Sequence, residues 1–162
     1  MSRMYRVPFT GTLTNAGGDS DLLSIQPADD KPCKIAGWFI SQSSEIGDVQ
    51  EENLRITVRH MTATVTIGSG GSAVTPVPRR PGTDLAAGFV ARCNDTTVST
   101  TSGTSTVCEE LGWNERSTPW ERFIPEEFRL QAVQGEVLIV RCESTPADDL
   151  TIEVTFFVEE EG

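Results

Sequence analysis

Apolar and polar positions alternate with a period of two along most of this chain, in short runs. Residues 5–13 (YRVPFTGTL) alternate as a half-buried strand does. Over residues 53–61, Leu54, Ile56 and Val58 fall on one side and Arg55, Thr57 and Arg59 on the other. The alternation resumes over 62–67 after a bulge. Residues 136–142 (EVLIVRC) and 150–159 (LTIEVTFFVE) are further strands, and Phe156 and Phe157 give both faces of the last one something large to bury. Residues 33–41 (CKIAGWFIS) are more continuously apolar, the pattern of a central strand covered on both sides. Shorter strands are predicted at 22–25 and 89–93, and one from 107 to 113. Turn clusters at 15–20 and 27–32 separate them. Helical character is confined to one turn at 84–88, capped by Asp84, and to 126–133, which Pro119 and Pro125 limit. This pattern predicts an all-β fold: a single antiparallel β-sandwich, jelly-roll-like, with eight or nine strands and long polar loops. No boundary splits residues 1–162 into two domains.

Several segments fall outside the alternation. Residues 1–6 predict a short flexible arm carrying Arg3 and Arg6. Residues 43–52 are polar and acidic and read as a connection. Residues 68–83 (GSGGSAVTPVPRRPGT) predict a flexible loop, its glycines permissive and its prolines extended. Residues 94–106 are mostly Thr and Ser and fit a polar hairpin or a mobile loop. An acidic tail closes the chain at 159–162. Pro-Ala-Asp-Asp occurs at 27–30 and again at 146–149, each time between two strands. Two similar hairpin turns explain the repeat. A calcium site using Asp29 with Asp30, or Asp148 with Asp149, is the sharper reading, but neither segment has the spaced acidic pattern of a calcium loop.

Charge narrows the function. Against 24 acidic residues stand 13 basic ones, a formal charge of −11. That balance opposes binding to nucleic-acid backbones or anionic membranes. No apolar run is long enough to span a bilayer, and the start of the chain has no apolar core of a secretory signal. Lysine occurs only at 31 and 34; the arginine excess fits either codon usage or packed interfaces.

Candidate chemistry is thin. Cys33 and Cys142 lie beside apolar runs and read as core. Cys93 and Cys108 flank the Ser/Thr segment, either as free thiols or as a pair across a hairpin. The single histidine, His60, leaves little for triads, histidine-rich metal centres or an activated cysteine. The glycines at 68–71 lack the Lys-Ser/Thr of a phosphate loop. Glu109 and Glu110 point to opposite faces of a strand. No catalytic, cofactor or metal site is predicted, and the chain reads as a binding protein rather than an enzyme. Trp113 and Trp120, in a segment with Asn114, Glu115, Arg116 and Glu121, suit an interface or a sugar-stacking site, although a packed loop over the sandwich accounts for them slightly better.

An ordered set of pieces resembles a family of small virion structural proteins of tailed bacteriophages. The pieces are residues 21–23 (DLL) with 27–32 (PADDKP), 42–48 (QSSEIGD) with 51–55 (EENLR), 68–76 (GSGGSAVTP), 86–89 (AAGF), 94–98 (NDTTV), 113–116 (WNER) and 146–149 (PADD). They cover roughly residues 5–160. The chain departs from the expected pattern in having cysteines at 93 and 108. The resemblance implies a head decoration or cement protein, assembled in the bacterial cytoplasm. Its implied partners are the major capsid protein and copies of itself, as a trimer on the capsid lattice. It implies no nucleic acid, membrane or cofactor. Candidate interface residues are Arg79, Arg80, Trp113, Arg116 and Trp120. The alternatives are a tail or neck component, or a carbohydrate-binding module used in host adsorption.

Overall fold

A computed structural model describes residues 2–44, 52–117 and 119–162. The predicted connection at 43–52 lies largely outside the described residues. Fourteen strands are present among them: β1 (Arg3–Leu13), β2 (Ser20–Gln26), β3 (Cys33–Gln42), β4 (Asn53–Met61), β5 (Val65–Thr66), β6 (Ser72–Val74), β7 (Val77–Pro78), β8 (Val90–Cys93), β9 (Thr100–Thr101), β10 (Ser105–Asn114), β11 (Trp120–Phe123), β12 (Gln131–Ala132), β13 (Val137–Cys142) and β14 (Leu150–Glu160). The count exceeds the expected eight or nine because polar segments supply two- to four-residue strands that alternation does not reveal. Among the described residues helix is limited to a 3-10 turn at Glu126–Phe128; residues 84–88 form no helical turn.

Two antiparallel sheets form an all-β sandwich. Sheet A runs β11-β3-β14-β1-β7, with β12 also on β3, and sheet B runs β10-β4-β13-β2-β8-β6. Eight of these strands pair like a folded hairpin: β1 with β14, β2 with β13, β3 with β11 and β4 with β10. That nested pairing is the jelly roll. The two Pro-Ala-Asp-Asp turns join β2 to β3 and β13 to β14. Each crosses from sheet B to sheet A, so both are arches between sheets rather than hairpin turns within one.

The core lies between the sheets and is built from Tyr5, Val7, Trp38, Ile40, Val154 and Phe156 facing Leu54, Ile56, Val58, Leu138 and Val140. A smaller cluster, Met61, Val137 and Ile139, lies on the other side of sheet B under Val65 and Ile67. It belongs to the excursion of residues 62–104 between β4 and β10, which adds β8 and β6 beside β2, places β7 beside β1 and covers sheet B from outside. This explains why every residue of β13 is buried.

Three segments expected to be mobile are fixed. Residues 3–6 are the start of β1, paired with Glu160 to Phe157. The glycine-rich loop lies on residues 93–99: Gly71 N–H donates to Asp95 Oδ1 (3.0 Å), Gly68 N–H donates to Ser99 Oγ (3.0 Å), and Ser69 pairs with Thr97. A Cβ at Gly71 would stand 2.1 Å from the Cys93 carbonyl oxygen, so the approach requires glycine. At the acidic end, Glu159 is 6% and Glu160 2% exposed. Glu160 Oε2 accepts the N–H groups of Gly88 (2.6 Å) and Phe89 (3.2 Å), and Glu159 pairs with Arg129 (2.7 Å).

Candidate binding face

Consecutive residues of a strand point to opposite faces, so the adjacent aromatics of β3 and β14 divide between two surfaces. Trp38 and Phe156 enter the core. Phe39 and Phe157 emerge on the outer face of sheet A, their ring centroids 5.0 Å apart. Phe123 of β11 joins them, 5.5 Å from Phe39 and 5.7 Å from Phe157. Gly37 makes this possible: a Cβ there would stand 2.1 Å from the Arg122 carbonyl oxygen, so β11 can lie close only over glycine. Phe123 is 64% exposed. The excursion that covers sheet B leaves this face of sheet A open.

The margins are charged. Arg6 of β1 is exposed in the same row as Phe157, and Arg79 lies beside it with Met4. Glu121 of β11 and Glu153 of β14 are exposed toward the other end, beside Phe39 and Ser41. A shallow groove lined by Pro8, Thr10, Phe39, Ser41, Glu153 and Thr155 crosses that end.

The five residues singled out from the sequence do not converge on one site. Arg79 is exposed at the edge of this face. Arg80 is exposed nearby and pairs with Asp84 (3.0 Å). Despite desolvation, the hydrogen bonds and charge of Arg80, with the charge of Arg79, hold the Asp84 carboxyl below its ordinary value. Arg116 is exposed in the turn after β10, where its N–H donates to Asn114 Oδ1 (2.9 Å). Trp113 is 2% exposed and stacks on Trp120 (6.5 Å, 11°), which also meets Trp38 edge-on (5.4 Å). These three indoles, with the Arg122 guanidinium over Trp38 (5.4 Å), close the β10/β11 side of the sandwich. They form packing, not a stacking platform for a ligand.

The cysteines are free thiols. Cys93 on β8 and Cys108 on β10 are at separate places in sheet B with β2, β13 and β4 between them, so the pairing across a hairpin is not formed. Four strand spacings, on the order of 19 Å, exceed the reach of a disulfide. Burial pushes the thiols of Cys33 and Cys93 up to about 12 and that of Cys142 to about 11, holding them protonated. His60 Nε2 lies 2.9 Å from Glu136 Oε2. Among the described residues no group of three His, Cys, Asp or Glu side chains is placed to hold a metal ion, and no helix is long and apolar enough to cross a membrane.

Sequence reasoning gave Phe157 a face to bury and read residues 33–41 as covered on both sides; the structure instead leaves the outer face of β3 and β14 open, and Phe123 and the acidic margin of that face were not foreseen. The signal for an apolar outer face was present in the pairs Trp38-Phe39 and Phe156-Phe157, since two neighbouring aromatics in one strand require two apolar faces. No family model matches this chain, and no curated protein or solved structure is significantly similar to it.

Proposed function

We propose that this chain is a virion structural protein of a tailed bacteriophage: a capsid decoration or cement protein that binds the outer surface of the major capsid protein lattice and stabilises the head. It acts by assembly and not by catalysis. The observation that carries the reading is an open, apolar, charge-rimmed sheet face on a sandwich whose glycine-rich loop and acidic last strand are tied down. An apolar sheet face with Phe123 exposed beside the half-buried Phe39 and Phe157 is a surface suited to assembly contacts. The resemblance to phage virion proteins supplies the particle, and the net charge of −11 keeps many copies soluble before assembly. A glycan-binding role draws no support from Trp113, which is buried against Trp120.

Copy number tests the proposal. Virions are purified from the source phage and this chain is quantified against the major capsid protein. A count of the same order as the capsid protein is expected. A few dozen copies or fewer would move the protein to the tail or neck, and absence from clean particles would overturn a virion role.

A further inference from the structure

The outer face of sheet A carries unpaired charge of both signs on opposite margins. Among the described residues, Arg6, Glu121 and Glu153 enter none of the ion pairs, whereas Lys31, Lys34 and the arginines at 55, 59, 80, 92, 122, 129 and 141 all do. Strand register fixes where these charges lie. Phe123, Gly37, Phe157 and Arg6 form one row across β11, β3, β14 and β1; Glu121, Phe39, Thr155 and Pro8 form the next; Ser41, Glu153 and Thr10 form a third. Arg79 extends the basic corner past Arg6, where it meets Met4 and Phe157. Basic groups therefore lie toward the β1/β7 side, acidic groups lie toward β11 and the third row, and the phenylalanines separate them.

We propose that a second copy of this chain occupies this face, in a two-fold pair whose axis runs parallel to sheet A, in the plane between the two facing surfaces and near Phe157. Rotation about such an axis sets the Arg6/Arg79 corner of each copy over the Glu121/Glu153 margin of the other and brings the two phenylalanine clusters together. A surface of one sign would meet either the arginines or the glutamates with like charge, at a cost in affinity. An isologous contact satisfies both margins at once, because each patch is then its own complement. The net charge of −11 on each copy does not prevent this, since interactions between exposed charges are screened beyond about 8 Å at physiological ionic strength. The inference rests on this face being an assembly surface, not on the capsid as partner. It calls for a pair where the resemblance implies a trimer.

Sedimentation equilibrium of the full chain over a range of concentrations tests it, with circular dichroism and thermal melting confirming that each variant is folded. The wild type is expected to associate to twice 17.6 kDa and no further. The double variants R6E/R79E and E121R/E153R, each alone, are expected to be monomers, because both margins then carry one sign. Mixed in equal amounts they are expected to form a one-to-one pair, since an all-acidic face meets an all-basic one. F123S removes an exposed ring and is expected to weaken pairing about tenfold or more. A monomeric wild type, a three-chain mass, or double variants that still self-associate would each overturn the proposal. None of these results depends on how many copies a virion holds, so the pair and the capsid role fail separately.

Discussion

At Gly71 a single hydrogen decides whether the glycine-rich loop can lie against the end of β8. An alanine Cβ there would stand 2.1 Å from the Cys93 carbonyl oxygen and 2.5 Å from the Asn94 carbonyl, both backbone atoms that cannot swing away. We predict that Gly71→Ala destabilises the protein by about 1–3 kcal/mol, the usual scale of overpacking. Gly112→Ala, on an exposed strand position with nothing within 4 Å, should change stability by no more than about 0.5 kcal/mol. Urea midpoints of the two variants make the comparison, and equal midpoints would refute the docking of residues 68–71. The same surface holds a buried ion pair. Arg141 donates through Nε to Asp21 Oδ1 (2.6 Å) and through a terminal nitrogen to the Ser99 carbonyl (2.9 Å), while Ser99 N–H donates to Asp21 Oδ2 (2.7 Å). Asp21 is 1% exposed, so Asp21→Ala leaves a guanidinium buried without its counter-charge. The expected loss is about 3–5 kcal/mol, and D21A/R141M should recover much of it. A mild single variant would show that water reaches Arg141. This pair was partly legible: an arginine inside the apolar run EVLIVRC signals a buried partner, but nothing local to residue 141 points to residue 21.

Among the elements, β14 lies between β1 and β3, and its acidic end behaves as structure instead of tail. Burial works to raise the Glu159 carboxyl, but hydrogen bonds from Ser2 and Arg129 and the charges of Arg129 and Lys34 hold it below its ordinary value. Glu143, at the end of β13, is likewise lowered against its burial by Arg59, Thr57 and Arg55. A carboxylate with a depressed folded-state value contributes stability above its unfolded value, about 4.3, and loses it as pH falls through the folded value. The melting temperature should therefore hold from neutrality down to about pH 5 and fall below about pH 4.3. Glu143→Gln and Glu159→Gln should each melt lower than wild type at pH 7 and lose less on acidification. Parallel curves for wild type and variants would remove these two groups from the account. The long strands were legible because one polar and one apolar face impose a period of two, as in β1, β4 and β14. Most of the excursion was not: β6 and β9 lie in Gly-, Ser- and Thr-rich segments without alternation and owe their pairing to distant backbone, whereas β5 falls within the alternation over 62–67. The acidic end was misread for a related reason: charge at a terminus suggests solvent, while Arg129, Lys34, Lys31 and the N–H groups of Gly88 and Phe89 that neutralise it come from elsewhere in the chain.

For the whole molecule, the jelly roll makes both ends of the chain interior to one sheet. Arg3 pairs with Glu160 and Leu13 with Leu150, so the first strand has no neighbour on that side until the last has been made. The same last residues pair with Lys34 and Cys33 on β3, and Glu160 also holds the segment at Gly88 and Phe89 against the sheet. Removing residues 159–162 thus does more than shorten a tail. It takes two rungs from both sides of β14, leaves Arg129 without Glu159 and frees the backbone at 88–89. Release of that backbone should spread along the chain, because the Tyr5 hydroxyl that holds the Leu85 carbonyl (3.2 Å) belongs to the rung with Val158, which the deletion leaves as the last one. The truncated chain is expected to melt well below the full one and to be cut by protease between Arg79 and Phe89 several times faster than the full chain. Unchanged melting and an unchanged protease pattern after the deletion would return residues 159–162 to the flexible tail their charge suggests. The jelly roll's closure of β14 between β1 and β3 would then not depend on its final turn of sequence.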